Sequence, residues 1–138
     1  MRTKVLIIDD DVPMTDLMRL MLNRESFDVI TANSGEDGIE AVKRHRPDVI
    51  VLDLLMPDED GWHICYRIRK SSQVPILVMS ALGMPGLAAR VFEAGADELL
   101  IKPVSLGVLV AYLRKLTRRA RAELDALAAN TASPGQPA

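Results

Sequence analysis

Six residues have types that can act together: Asp9, Asp10 and Asp11 in a row, then Asp53, Ser80 and Lys102. The first three follow the apolar run Val5-Leu-Ile-Ile8, and Asp53 follows Val49-Ile-Val-Leu52. Ser80 follows Ile76-Leu-Val-Met79, and Lys102, itself followed by Pro103, comes after Leu99-Leu-Ile101. Carboxylates brought to one place repel unless a cation sits among them, and a hard divalent ion with oxygen ligands, Mg²⁺ or Mn²⁺, suits that role. A lysine beside them neutralises part of a second anion. An acid cluster, a dication, an ammonium and a hydroxyl together point to the handling of a phosphoryl group. The Asp53 carboxylate has the chemistry of a nucleophile, which would give an aspartyl phosphate. Taken singly, each residue has a plainer reading. An acid just past a strand caps the next helix, and one of Asp9–Asp11 is expected to do so. A lone Ser or Lys at a strand end says little. The joint occurrence carries the inference.

The elements that must position these residues are legible in the apolar pattern. The four runs, with Val29-Ile-Thr31 between the first two, predict five strands. Four lack alternation, as strands covered on both faces do, and the shorter second run suits a sheet edge. Helix-length segments lie between and after them, at 13–25, 35–46, 61–70, 86–94 and 105–128. Pro13 is tolerated in a first turn, Ser34 is a good N-cap with Asp37 three residues on, and Pro47 stops the second segment. Gly95 ends the fourth, and Leu109, Leu113, Leu116 and Leu124 mark the fifth at near-helical spacing. The pattern (βα)5 predicts an α/β fold, a parallel sheet with helices on both faces and right-handed crossovers. Sites in such sheets form at the carboxyl ends of the strands, where the six residues stand.

Composition bounds the rest. The 138 residues are one domain's worth, and 49% apolar with 26% charged residues describes an ordinary globular chain. No apolar run approaches the ~18 residues of a membrane span, and no signal peptide is visible. The single cysteine, Cys65, excludes an intrachain disulfide and fits a reducing cytoplasm. With only His45 and His63 beside it, a zinc site is excluded too. Residues 1–112 carry 12 basic and 17 acidic side chains, whereas 113–138 carry 5 basic and 2 acidic. That basic cluster (Arg114, Lys115, Arg118, Arg119, Arg121) reads as the solvated end of a helix in preference to a nucleic-acid contact. Residues 126–138 are expected to be a disordered tail or linker remnant, leaving 1–125 as the domain.

Several stretches together resemble a known family. They are Lys4-Val-Leu-Ile-Ile-Asp-Asp-Asp11, Arg46-Pro-Asp-Val-Ile-Val-Leu-Asp-Leu-Leu-Met-Pro57 with Asp60-Gly61, Pro75-Ile-Leu-Val-Met-Ser-Ala81, and Glu93-Ala-Gly-Ala-Asp97 through Lys102-Pro103. In order and at these separations they resemble the CheY-like receiver domain of two-component response regulators. The resemblance implies a flavodoxin-like, doubly wound sheet in order 2-1-3-4-5. It implies Asp53 as phosphoacceptor and Asp9, Asp10, Asp53 and the Leu55 carbonyl as ligands of Mg²⁺ (or Mn²⁺). Ser80, the Ala81 N–H and Lys102 would bind phosphoryl oxygens, and Lys102-Pro103 would be cis. It further implies a cytoplasmic signalling domain that catalyses its own phosphorylation and dephosphorylation. The phosphoryl donor would be a sensor histidine kinase or a phosphotransfer protein, and Met14 could join the surface that meets it.

The chain departs from the family pattern in three places. Leu99 replaces the usual Tyr or Phe that turns inward when Ser80 moves, which shifts the expected output toward backbone movement in 81–90. Leu55 and Leu82 flank the phosphoryl pocket where neither can orient water, so a long-lived phosphoryl-aspartate is expected. Ala88, Val108 and Tyr112 stand where related receivers place the charges of a dimer surface on the fourth helix, fifth strand and fifth helix. With Leu87, Phe92 and Leu106 they could form an apolar homodimer face. Trp62 and Cys65 are expected to pack, the latter inert. His63 has only the Asp58-Glu59-Asp60 run near it, and His45 is expected at the surface. Two other readings are open. The chain could be the N-terminal part of a longer DNA-binding transcriptional regulator, although it offers no DNA-reading element itself. As an enzyme it could be an aspartate-nucleophile phosphatase or a flavodoxin-like nucleotide binder. The first would need an acid where Leu55 stands, and the second would meet repulsion from Asp9–Asp11.

Overall fold

The computed structural model describes residues 2–56, 59–81 and 83–132, with the backbone alone for 55–56, 59–60 and 131–132. In chain order the elements are β1 (Thr3–Ile8), α1 (Val12–Asn23), β2 (Phe27–Ala32), α2 (Gly35–His45) and β3 (Val49–Asp53). A two-residue ladder follows, Leu55–Met56 against Glu59–Asp60, and then α3 (Gly61–Arg69), β4 (Ile76–Ser80), α4 (Leu87–Glu93), β5 (Glu98–Ile101) and α5 (Leu106–Ala132). The five long strands are parallel and lie in the order β2-β1-β3-β4-β5, as the resemblance implied.

Alternation along the strands divides the core in two. Leu6, Ile8, Ile50, Leu52, Ile76 and Val78 face α2, α3 and α4, which contribute Val42, Ile64, Ile68, Leu87 and Val91. Val5, Ile7, Val49, Val51, Leu77 and Met79 face α1 and α5, which contribute Met18, Leu22, Leu109, Leu113 and Leu116. Because both faces are covered, the buried stretches of β1, β3 and β4 are apolar without alternation, and each fully buried Leu or Ile contributes roughly 1.5–3 kcal/mol.

The caps match their sequence signals. Asp11 caps α1 by accepting from the Met14 N–H at 3.1 Å, and Ser34 caps α2 by accepting from the Asp37 N–H at 3.1 Å. Gly95, at φ 107°, turns the chain after α4. At the amino ends of the strands, Arg69 donates to the carbonyls of Gly95 (2.8 Å) and Val74 (2.6 Å) and to Asp97 (2.8 Å). Asp97 in turn accepts from the Ile76 N–H at 2.9 Å, so one guanidinium ties α3 to the starts of β4 and β5.

Four points differ from expectation. Helix α1 ends at Asn23 and not at 25, because the chain turns through Ser26 at φ 70°. Helix α5 continues to Ala132, so 126–132, read from composition as a disordered tail, are helical. The alanine-rich Asp125-Ala-Leu-Ala-Ala129 favours a helix and nothing breaks it before Pro134. Leu87 belongs to the core at 3% exposure, and so lies inside the fold and off the surface patch. The short ladder after β3 was not foreseen. The expectations placed on Leu82, Asp58, the side chains of Leu55, Glu59 and Asp60, and residues 133–138 lie outside what is described.

Candidate functional site

In the sheet Ile8 lies beside Leu52, so the next residue on each strand, Asp9 and Asp53, emerges alongside the other on the α1/α5 face. One carboxylate oxygen from each of Asp9, Asp10 and Asp53 lies within 4.8 Å of the others. Asp9 is only 4% exposed, whereas Asp10 stands in solvent. The Lys102 Nζ, brought in by the turn after β5, is 3.6 Å from the Asp53 Oδ2. Burial pushes the Asp9 carboxyl up to about 6, with Asp53's charge adding to the rise and the Asp11 N–H and Lys102 opposing it.

These residues fit a hard divalent ion. Three carboxylates converge from two strand ends, one is held above its ordinary range chiefly by burial, and Asp10 leaves one side open to water. The site holds anions too close together for a cation-free state to be comfortable.

Asp9 is positioned by neighbours that sequence reasoning missed. Its Oδ1 accepts from the Asp11 N–H at 3.0 Å, and its carbonyl accepts from the Asn33 Nδ2 at 2.8 Å. Asn33 also donates to the hydroxyl of buried Thr15 at 3.1 Å, which itself donates to the Val12 carbonyl at 2.9 Å. The only signal for Asn33 was its place just beyond the β2 run, on the strand next to β1.

The other expected residues occupy the adjoining strands. Met79 is Asp53's register partner, so Ser80 lies one residue beyond it; Ser80 is fully buried and Ala81 is exposed. The Ser80 carbonyl accepts from the Lys102 N–H at 2.7 Å, and Lys102-Pro103 is cis, as the resemblance implied. Leu99, in register with Val78, is half-buried against the α2/α3/α4 core. Leu55 opens the short ladder, paired with Asp60. Farther off, Trp62 packs half-buried with the Arg90 guanidinium 5.2 Å over its ring, while His63 and His45 are exposed. Cys65 is fully buried, and burial pushes its thiol up to about 11. A groove of about 850 Å³ lies at the opposite end of the sheet, between Pro47, Val74, Phe92 and Leu124, away from the acids.

The sequence matches the response regulator receiver domain family over residues 5–114. The chain belongs to that family. Among relatives of this receiver domain, the transcriptional regulatory protein AfsQ1 of Streptomyces coelicolor is 40% identical over 119 residues, covering 86% of this chain and 53% of AfsQ1. The receiver domain thus spans about half the length of the curated relatives it matches. A two-component response regulator from Clostridium difficile superposes with a TM-score of 0.82 at 29% identity, covering 86% of this chain and 98% of that one. The chemotaxis protein CheY4 of Vibrio cholerae superposes with a TM-score of 0.79 at 27% identity, covering 84% and 99%. Among the described residues no helix is long and apolar enough to cross a membrane.

Proposed function

We propose that this receiver domain takes a phosphoryl group onto Asp53 from a phosphohistidine of a sensor kinase or phosphotransfer protein, in the cytoplasm. The observation that carries the reading is the placement of the Asp53 carboxylate 3.6 Å from the Lys102 ammonium inside the three-acid cluster. An oxygen of Asp53 attacks phosphorus, the phosphorus–nitrogen bond of the donor breaks, and the imidazole leaves with its electron pair and takes a proton. Lys102 pairs with one phosphoryl oxygen, and the Ser80 hydroxyl and Ala81 N–H donate to others. Asp9, Asp10, Asp53 and the Leu55 carbonyl would hold Mg²⁺ (or Mn²⁺), which when bound supplies positive charge against those oxygens. The domain catalyses this step on itself and also the attack of water on the aspartyl phosphate, which frees the carboxylate and releases inorganic phosphate, and it turns over no external metabolite.

Phosphorylation adds about −1.5 to −2 charge at Asp53. Ser80 is drawn toward it, and the backbone of 81–90 follows, with Leu99 adjusting behind, so the modified state is favoured within an existing equilibrium. Flat relaxation-dispersion profiles across 81–90, with and without a phosphoryl mimic, would contradict that output. A second readout is a homodimer through α4, β5 and α5, where Ala88 is exposed and Phe92 and Val108 are each 45% exposed, while Tyr112 and Leu106 are half-buried. Such a dimer would persist at high salt in size-exclusion runs, since no charge network holds it. The relatives' names favour a longer protein in which this domain governs a DNA-binding portion. This chain alone should give no electrophoretic shift with DNA.

The deciding test treats wild type and Asp53→Asn with acetyl phosphate or beryllofluoride and Mg²⁺. Acetyl phosphate should add the mass of one phosphoryl group to wild type and none to the variant. Equal labelling of both, or of neither, would place the acceptor elsewhere or nowhere.

A further inference from the structure

Directly beneath Asp9 and Asp53, between α1 and α5, lies a cavity of about 330 Å³ whose apolar walls the phosphoryl chemistry does not use. Its walls are Met14, Met18 and Met21 from α1, Met79 from β4, and Leu106 and Leu109 from α5. Four of the chain's seven methionines therefore meet here. A thioether side chain is flexible and polarisable, so such a wall adapts to the shape of an apolar guest and favours aromatic rings. Met14, on this wall, is 41% exposed. Its volume falls at the low end of small-ligand sites, roughly 300–1,000 Å³.

The polar end of the lining has a sign. It consists of Asp9, Asp53 and Lys102, two carboxylates against one ammonium. An apolar body alone would fill the walls and leave those acids as they are. A body carrying one cationic head would also stand its head between two carboxylates in a partly dry setting, where a charge-assisted hydrogen bond is stronger than a neutral one. An anionic head would have only Lys102, already engaged with Asp53.

We propose that this cavity binds small apolar amines, one or two rings bearing a single ammonium, with the head at Asp9 and Asp53. The guest and a divalent cation then exclude each other, because both need the same oxygens. Binding of the amine stands independently of the phosphoryl reading; its consequence, a brake on phosphoryl uptake, rests on that reading.

The test uses the whole chain with ¹³C-methyl methionine and three probes sharing one body: naphthylmethylamine, naphthylmethanol and naphthylacetate. The methyls of Met14, Met18, Met21 and Met79 should shift saturably, while Met84, half-exposed and outside the cavity, stays put. The amine should bind at least about fivefold tighter than the alcohol, the acetate weakest. Saturating Mg²⁺ should weaken the amine at least about fivefold and leave the alcohol unchanged. Shifts of equal size at Met84, or an acetate as tight as the amine, would overturn the proposal. Magnesium alone is titrated first against the Asp10 and Asp53 amides. If it does not bind, the phosphoryl reading fails, and the three head groups alone then decide the cavity. If it does bind, indifference of the amine to it also overturns the proposal. Met14→Trp and Leu106→Trp, at partly exposed positions, fill the cavity from opposite walls. Each, once shown to melt cooperatively, should lose at least about tenfold in amine affinity. Full affinity in both would sink the idea.

Discussion

The burial of the Asp9 carboxyl should be readable as stability. Asp9 has an ordinary value of 3.8 and is raised to about 6 in the fold. Keeping it ionised at neutral pH therefore costs the folded state about 3 kcal/mol at most, and water reaching the pocket reduces this to about 1–2 kcal/mol. Asp9→Asn removes that cost and keeps a carbonyl oxygen for the Asp11 N–H now 3.0 Å away. The sign follows from the direction of the rise. An acid bound more tightly to its proton when folded costs nothing below pH 3.8, costs progressively more up to about 6, and costs its full amount above. Urea unfolding in EDTA at about pH 7.5 should thus show the variant more stable by about 1–2 kcal/mol, a midpoint shift of about 1 M for a domain of this size. Near pH 4 the gain should vanish. Mg²⁺ should then stabilise wild type more than the variant, since binding to the native state alone adds stability. A variant no more stable at pH 7.5, or equally favoured at pH 4, would refute the reasoning.

Other consequences follow from packing. A Cβ at Gly61 would stand 2.6 Å from the Leu54 Cα and 2.9 Å from its carbonyl oxygen, so Gly61→Ala should cost about 2 kcal/mol or more despite alanine's helix preference. At Gly107 a Cβ meets nothing within 4 Å, and Gly107→Ala should gain about 0.5–1 kcal/mol; thermal melts of the two variants should move in opposite directions. Arg69→Met takes the guanidinium from the carbonyls of Gly95 and Val74 and from Asp97, which keeps only the Ile76 N–H of the two donors described, and should lose about 2–4 kcal/mol in urea unfolding. The Cys65 thiol, pushed up to about 11 by burial, should react with a disulfide reagent only as fast as the protein opens, and at once in urea; rapid native labelling would contradict its placement.

What could be read in advance had a local cause. Asp9, Asp53, Ser80 and Lys102 end apolar runs, and a run buried on both faces has a visible limit, so the residues just past it announce themselves. Ser34 and Gly95 act within one turn of themselves, and their roles were legible for the same reason. Asn33 was not legible, because its bond to the Asp9 carbonyl exists only once β2 lies beside β1. The Arg69 knot joins partners 5 to 28 residues away, and no spacing rule anticipates it. The extent of α5 was misread because Asn130 and Thr131 resemble a stop, yet helix propensity in the alanines before them carries the turn onward. Position alone leaves Leu87 open to either the surface patch or the core, and the helix phase turns it toward Val91 and the sheet.

The two sides of the sheet divide the labour of the molecule. Asp9, Asp53 and Lys102 open on the flank of α1 and α5, while Ser80 and Leu99 follow the alternation of their strands toward α4. News of an event on one flank has only to pass between consecutive residues, Met79 and Ser80, to reach the other. Under the proposed function, a donor seated at α1 would leave the opposite wall free for whatever reads the message, before its messenger departs.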